Sequence, residues 1–308
     1  MTDQPPAPYF SVFIPTYNRA GVLPRALRSV AEQTFRDLEL VVVDDGSSDD
    51  TRDIVTAFAE TVDFPVRYHW QENQGKHGAY NTALGLLRGR LTVVLDSDDR
   101  LVPQALEILK HYWESIPESQ RAGFVGVKGM CRWIGGEIYG DSFPSDVFDS
   151  DDLSLRTRDA IKGDKVGAVC TEVIREYPYP VVAGERHQRP SYVQRQIAHR
   201  YRVRYVNEVI QECEHQPGGL SSDRFALRMR NPRGYRLYHL ADIRDHRAYL
   251  RFTELLDGYG KYVRFSLHGG IGLRQQWREA PSKLLWLACL PYGAVKYLTD
   301  RLQAGRRS

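Results

Sequence analysis

The chain has 308 residues, 42% of them hydrophobic and 26% charged, enough for one large domain or two smaller ones. Its net charge of +3 is too small to argue for a nucleic-acid partner. The charge is uneven, however: residues 224–308 hold 17 Lys/Arg against 6 Asp/Glu, a balance of +11 that leaves −8 for the first 223. Cys131, Cys170, Cys213 and Cys289 stand singly, without a CxxC pair or zinc spacing, and read as buried reduced thiols. The polar start Met1-Thr2-Asp3-Gln4-Pro5-Pro6 shows no secretory signal, so a cytoplasmic location is expected. No apolar run reaches the roughly 18 to 20 residues that a membrane span requires. Leu284 to Leu298 comes nearest and is interrupted by Pro291 and Lys296.

In chain order, Phe10 to Pro15 is an apolar strand, and Ala20 to Gln33 carries helical spacing through Leu23, Leu27 and Val30. Leu38 to Val43 is a second apolar strand ending in Asp44-Asp45-Gly46-Ser47-Ser48, where Ser48 can cap a helix whose apolar face holds Ile54, Val55 and Phe58. Val66 to Trp70 reads as a third strand, Gly78 to Leu87 as a third helix, and Leu91 to Leu95 as a fourth strand that closes on Asp96-Ser97-Asp98-Asp99. Such alternation with wholly apolar strands predicts a parallel sheet covered by helices on both faces. Ligands bind such sheets at the carboxyl ends of the strands, so the clusters after the first, second and fourth strands are expected on one edge.

Beyond Pro103, Ala105 to Trp113 reads as a helix, Phe124 to Gly129 as a strand, and Trp133 to Tyr139 as two short strands turning at Gly135-Gly136. Ser145 to Leu155 reads as an acidic surface loop and Tyr201 to Gln211 as a strand pair. The breaker Gln216-Pro217-Gly218-Gly219 places a boundary at residue 220, with a basic, aromatic helical extension over 221–308.

Asp96, Asp98 and Asp99 put three carboxylates within four positions at a strand tip. They repel one another unless a hard cation such as Mg²⁺ or Mn²⁺ sits among the oxygens, taking one or two carboxylates plus substrate phosphates. Neither the dinucleotide pattern GxGxxG nor the P-loop GxxxxGK[ST] is present.

The segments PTYNR (15–19), VVVDDGSSDDT (41–51), ENQGKHGAYNTAL (72–84) and VLDSDD (94–99) resemble, in this order, the family 2 glycosyltransferases. They cover the first third of the chain tightly, while AGER (183–186) and ECEHQPGGLS (212–221) resemble the family's looser acceptor-side signals. The resemblance implies the GT-A fold, Rossmann-like with a mixed, mostly parallel sheet, in a catalytic domain over 1–220. It also implies inverting transfer of a sugar from a nucleotide-diphosphate donor, a UDP-sugar, to a hydroxyl of a glycan or lipid-linked envelope acceptor.

On that resemblance Asp98 ligates Mn²⁺ or Mg²⁺, Asp96 reaches the donor ribose or the metal, and His215 is a third metal ligand. Asp44 lies against the nucleotide base, with Pro15, Thr16, Tyr17, Asn18 and Arg19 around base, ribose and phosphate. Asn73, Gly75, Lys76, Asn81 and Ser97 complete the donor site. Asp45 reads instead as a turn residue and Asp99 as the cap of the helix after Pro103. Of Trp70, Tyr80 and Trp133, at least two read as packing residues rather than stacking platforms.

Glu185 is the candidate general base, although Arg186 stands where the family has a second acidic residue. The competing reading is an exposed glutamate paired with Arg186 or Arg189. Two alternatives to glycan transfer stay open: a polyprenyl-phosphate sugar synthase, whose acceptor needs no strong base, and a nucleotide-sugar-binding protein impaired in transfer. From residue 224 onward Arg and Lys alternate with Tyr, Phe, Trp and Leu, which reads either as peripheral contact with an anionic membrane's inner face or as a packed helical extension. No nucleic-acid recognition motif accompanies these cations.

Overall fold

The computed structural model describes residues 6–214 and 223–305, which divide into two units: 6–179 with 193–214, and 180–192 with 223–305. The boundary expected at residue 220 lies outside the described residues, and the second unit also takes in 180–192.

The first unit opens with β1 (Phe10–Thr16), α1 (Leu23–Ala31), β2 (Leu38–Asp44), α2 (Thr51–Ala59), β3 (Val66–Trp70), α3 (Lys76–Leu84) and β4 (Leu91–Val94). β1 and β2 are buried along their whole length, as their mostly apolar runs favour, and the buried Glu39 of β2 is paired with Ser11 and Arg67. Pro24 starts α1, where its missing N–H costs nothing. Ser48 does not cap α2; its N–H is donated to the side-chain Oδ1 of Asn18 instead, at 2.9 Å.

There follow β5 (Arg100–Leu101), α4 (Ala105–Glu114), α5 (Glu118–Arg121), β6 (Phe124–Trp133), β7 (Val147–Ser150), α6 (Asp152–Thr157), β8 (Lys165–Cys170), α7 (Thr171–Arg175), α8 (Ser191–Ile197) and β9 (Arg202–Cys213). The strands form one nine-stranded sheet ordered β3-β2-β1-β4-β8-β6-β9-β5, with β7 also on β9. β3, β2, β1 and β4 run parallel, β8 is antiparallel to β4 and β6, and β6 is parallel to β9. Val12, Ile14, Leu27, Leu40, Val93 and Leu106 belong to the core packed against this sheet.

Three expectations are corrected here. The acidic stretch 145–155 is not a loop: Val147–Ser150 pairs antiparallel with β9, and Asp151 caps α6 by accepting the N–H groups of Leu153 and Ser154. Residues 202–213 make one long strand rather than a pair, held by β6 on one edge and β7 on the other. Cys131 and Cys213, 82 residues apart, are joined in a disulfide instead of standing as reduced thiols. The parallel register sets Cys131 opposite Gln211 and Trp133 opposite Cys213, bringing the two sulfurs onto neighbouring strands. Cys170 and Cys289 are free.

The second unit is helical: α9 (Arg224–Arg230), α10 (Pro232–Arg244), a 3₁₀ turn at Arg247–Tyr249, α11 (Phe252–His268), α12 (Leu273–Glu279) and α13 (Lys283–Gly305). Its core gathers Ile243, Leu255, Tyr259, Tyr262, Val263 and Trp286. α11 and α13 approach so closely that a Cβ on Gly293 would sit 2.6 Å from that of Val263. Asp300 of α13, buried, takes both arms of the Arg264 guanidinium at 2.6 Å and the His268 ring at 2.9 Å. Among the described residues no helix is long and apolar enough to cross a membrane.

Candidate active site

The parallel register fixes the edge on which the polar clusters meet. Thr16 stands opposite Asp44 and Asp44 opposite Trp70, while Leu95 continues β4 by donating to the Phe13 carbonyl at 2.9 Å. The apolar runs of β1, β2 and β4 therefore end at the same level, and β3 ends beside them.

Asn18 holds the first two turns together. Its backbone, in the left-handed region at φ 50, donates to Ser47 Oγ at 2.8 Å, while its side-chain carbonyl accepts the Ser48 N–H. Asp44 is buried; one carboxylate oxygen accepts the Ser47 N–H at 2.8 Å and the other the Tyr68 hydroxyl, whose pKa is pushed up to about 12 by burial and by Asp44. Asp45 does more than close its own turn. It accepts the Gln71 side chain at 2.7 Å and the N–H groups of Gln74 and Gly75 at 2.8 and 2.7 Å, fixing the loop into α3. Gly75 sits at φ +84, which a side chain there would strain.

Among the described residues the buried Thr16 hydroxyl finds no hydrogen-bond partner, and neither do Gln71 Oε1 and His77 Nδ1. Buried polar atoms normally find partners, so three orphans at this edge point to a polar ligand. Pro15 and Ser97 are buried, Asn18 and Tyr17 exposed, and Arg19, Asn73 and Gly75 half-buried. Arg19 contributes its carbonyl to the start of α1, accepting from Val22 and Leu23. The Asn81 amide is engaged at both ends, donating to the Tyr179 carbonyl at 2.9 Å and accepting the Tyr179 N–H at 2.8 Å, so here it latches the chain. Tyr80 packs edge-on to Tyr179, and Trp133 to Tyr139, whereas Trp70 is 45% exposed.

Asp96, Asp98 and Asp99 converge at the tip of β4, with one ligand oxygen from each within 4.8 Å of the others. Asp99 does not cap α4, a correction of the expected role. Its oxygens accept the Gln211 side chain at 2.6 Å and the Glu214 N–H, tying the tip to the end of β9. Burial and the neighbouring charges of Asp96 and Asp98 push its pKa up to about 7. Lys76, at the start of α3, is ion-paired with Asp96. Burial alone would depress its ammonium, but Asp96, Asp98 and Asp99 outweigh that and raise its pKa. Three oxygen-only donors with surplus negative charge fit a hard divalent cation. His215 lies outside the described residues.

Glu185 belongs to the second unit, where it does not pair with Arg186 or Arg189. One oxygen accepts the Arg233 N–H at 2.8 Å and the other the Gly234 N–H at 2.7 Å, capping the N-terminus of α10. Burial raises its pKa in spite of those two N–H groups. Glu212, in the segment resembling an acceptor-side signal, is bound between Arg100 and Arg132. Tyr68, Gln71, Gln211 and Glu214 escape sequence reasoning, since only the strand register and the end of β9 show what they touch.

A family model described as glycosyl transferase family 2 matches residues 11–139, the part of the chain that holds β1 to β6 and the acidic tip of β4. The GalNAc(5)-diNAcBac-PP-undecaprenol beta-1,3-glucosyltransferase of Campylobacter jejuni is 36% identical over 126 residues, 40% of this chain and 38% of that protein. The chain spans only 30% to 38% of the length of such curated relatives. Among solved structures, S. aureus TarS 1-349 in complex with UDP-GlcNAc superposes with a TM-score of 0.61 at 15% identity, covering 97% of this chain and 92% of that one. The mannosyltransferase PcManGT from Pyrobaculum calidifontis, in complex with GDP-Man and Mn²⁺, gives 0.54 at 22% identity, covering 97% and 90%. The GT-A class that the motifs imply is thus the fold observed.

Proposed function

We propose that the protein is a metal-assisted, inverting glycosyltransferase that moves a sugar from a nucleotide-diphosphate donor, a UDP-sugar, to a hydroxyl of a glycan or lipid-linked envelope acceptor. The observation that carries this reading is the convergence of Asp96, Asp98 and Asp99 beside Lys76 at the strand edge where Thr16 and Asp44 also end. Complexes of fold neighbours with UDP-GlcNAc and with GDP-Man and Mn²⁺ support the donor class, and a relative acting on an undecaprenyl-linked glycan supports the acceptor class.

Asp98 and Asp96, with Asp99, would hold Mn²⁺ or Mg²⁺, which when bound stabilises the charge developing on the departing diphosphate. Asp44 keeps a carboxylate at the base end of the site, where it can accept an imide N–H, and the Thr16 hydroxyl supplies a second polar group. Lys76 places a fixed cation beside the acidic tip, so the chain itself contributes positive charge where phosphate charge grows. Asp45 holds the loop that carries Lys76. Screening UDP-, GDP- and dTDP-sugars for Mn²⁺-dependent thermal stabilisation tests the assignment: a UDP-sugar raises the melting temperature most, and no stabilisation by any of them refutes it.

Glu185 is proposed as the base that takes the acceptor hydroxyl's proton, and its raised pKa suits that task. Its two bonds to the N-terminus of α10 favour a second reading, a transfer to a phosphate acceptor for which no base is needed. Glu185→Gln separates them. Under either reading the weakened helix cap costs about 1 kcal/mol of stability; as base the residue also loses about 100-fold or more in kcat, whereas as cap alone it keeps kcat.

A further inference from the structure

The helix α13 turns only one side to its own unit. Trp286, Cys289, Gly293 and Asp300 are its buried residues. On the opposite side Leu284, Leu287, Val295, Leu298 and Leu302 are each 54% to 81% exposed. Their spacing by threes, fours and multiples of these, with Pro291 between them, keeps them on one face of the helix over about 27 Å. A soluble surface seldom leaves so long an aliphatic stripe open.

The charges bordering the stripe decide what it fits. At 3.6 residues per turn Lys283 and Arg301 fall about 40° beyond Leu287, at one edge of the exposed side, and Lys296 about 100° beyond Val295, past the exposed Thr299 and Tyr292, at its other edge. None of the three has an acidic partner among the described residues: Lys296 lies 5.6 Å over the Tyr292 ring, Arg301 donates to the Tyr297 hydroxyl, and Lys283 to the Ala280 carbonyl. The acid of this helix, Asp300, is buried and held by Arg264 and His268. Two copies pairing along this stripe would set cations against cations with no acid between them, which disfavours a self-interface. Aliphatic side chains flanked on both margins by cations match a lipid surface, where the first enter the headgroup boundary and the second reach the phosphates.

We propose that this face of α13 lies in the plane of an anionic bilayer, with Leu284, Leu287, Leu298 and Leu302 inserted and Lys283, Lys296 and Arg301 meeting lipid phosphate. The inference rests on the second unit alone and holds whether or not the first transfers a sugar. Flotation of the full chain with phosphatidylcholine vesicles, with and without phosphatidylglycerol, tests it. The wild type floats with the anionic vesicles, and both Leu287→Gln/Leu298→Gln/Leu302→Gln and Lys283→Gln/Lys296→Gln/Arg301→Gln bind them roughly a hundredfold more weakly. Both variants keep the wild-type melting temperature, because the altered side chains are solvent-facing or on the margins; should the leucine variant melt early, the cation variant decides. The proposal is overturned if the wild type does not float with anionic vesicles, if the cation variant floats as well as the wild type, or if the wild type is a dimer that the leucine substitutions dissociate.

Discussion

In the first unit, three aspartates at the tip of β4 lean on a single ammonium, that of Lys76; in the second, a single aspartate, Asp300, is shared by a guanidinium and an imidazole. Both clusters are partly or fully withdrawn from water, and their balance differs. Asp300 has all the positive charge it needs, so its carboxyl is held below the usual range despite burial, by Arg264 and His268. Asp99 is left short, and burial with two like charges pushes it up to about 7. Matched charge of the first kind holds α11 to α13; surplus charge of the second kind is what the proposed cation would complete.

The comparison breaks most visibly at Asp300. Asp300→Asn strands Arg264 in a buried place and is expected to cost about 3 to 5 kcal/mol, read as a fall in the melting temperature with Mn²⁺-dependent nucleotide binding by the surviving fold unchanged. A variant as stable as the wild type would show that the pair does not clamp the helices.

A smaller loss is expected at the strand end that supports Asp99. Cys131→Ser/Cys213→Ser, or reduction of the wild type, opens a loop of 82 residues and should cost about 2 to 4 kcal/mol. Calorimetric melting with and without dithiothreitol checks it; identical curves would mean that the thiols are not paired in solution.

The smallest effect comes from buried imidazoles. Burial lowers the pKa of His77 in the first unit and of His239 and His268 in the second, below the ordinary 6.5. The folded state thus holds them neutral, so their contribution is complete above about pH 6.5 and is lost as pH falls below it, by at most about 1.4 kcal/mol per pH unit for each. Asp99, raised to about 7, adds stability over the same window as pH falls, so the histidines are read in Asp99→Asn. The melting temperature of that variant is expected to be flat from pH 8 down to about 6.5 and then to decline; a rise on acidification in it contradicts this.

Much of the first unit is legible in the sequence because its information is local. Mostly apolar runs mark β1, β2 and β4, and the residues that end those runs must share an edge once the strands are parallel. Helix ends are less legible: α3 begins at Lys76 rather than Gly78, since Asp45 stops the preceding loop from a distance of 30 residues. What the sequence hides is pairing at long range. Nothing local tells that Val147–Ser150 will find β9, that Cys131 will face Cys213, or that Asp99 will reach Gln211 instead of capping α4. Glu185 is hidden in the same way, because its partners, the first N–H groups of α10, lie 48 and 49 residues ahead. The basic, aromatic end discloses its composition in sequence, while the one-sided exposure of α13 follows only from how that helix packs.

The central claim is that the surplus carboxylates at the tip of β4 are completed by a divalent cation that brings the nucleotide diphosphate with it. Titration calorimetry of UDP into the wild type and into Asp98→Ala, each with Mn²⁺ and with EDTA, tests this most directly. The account predicts Mn²⁺-dependent binding by the wild type that weakens about 100-fold or more in Asp98→Ala, with an unchanged melting temperature for the free protein. Equal UDP affinity in the two proteins, or equal affinity with and without the metal, would contradict it.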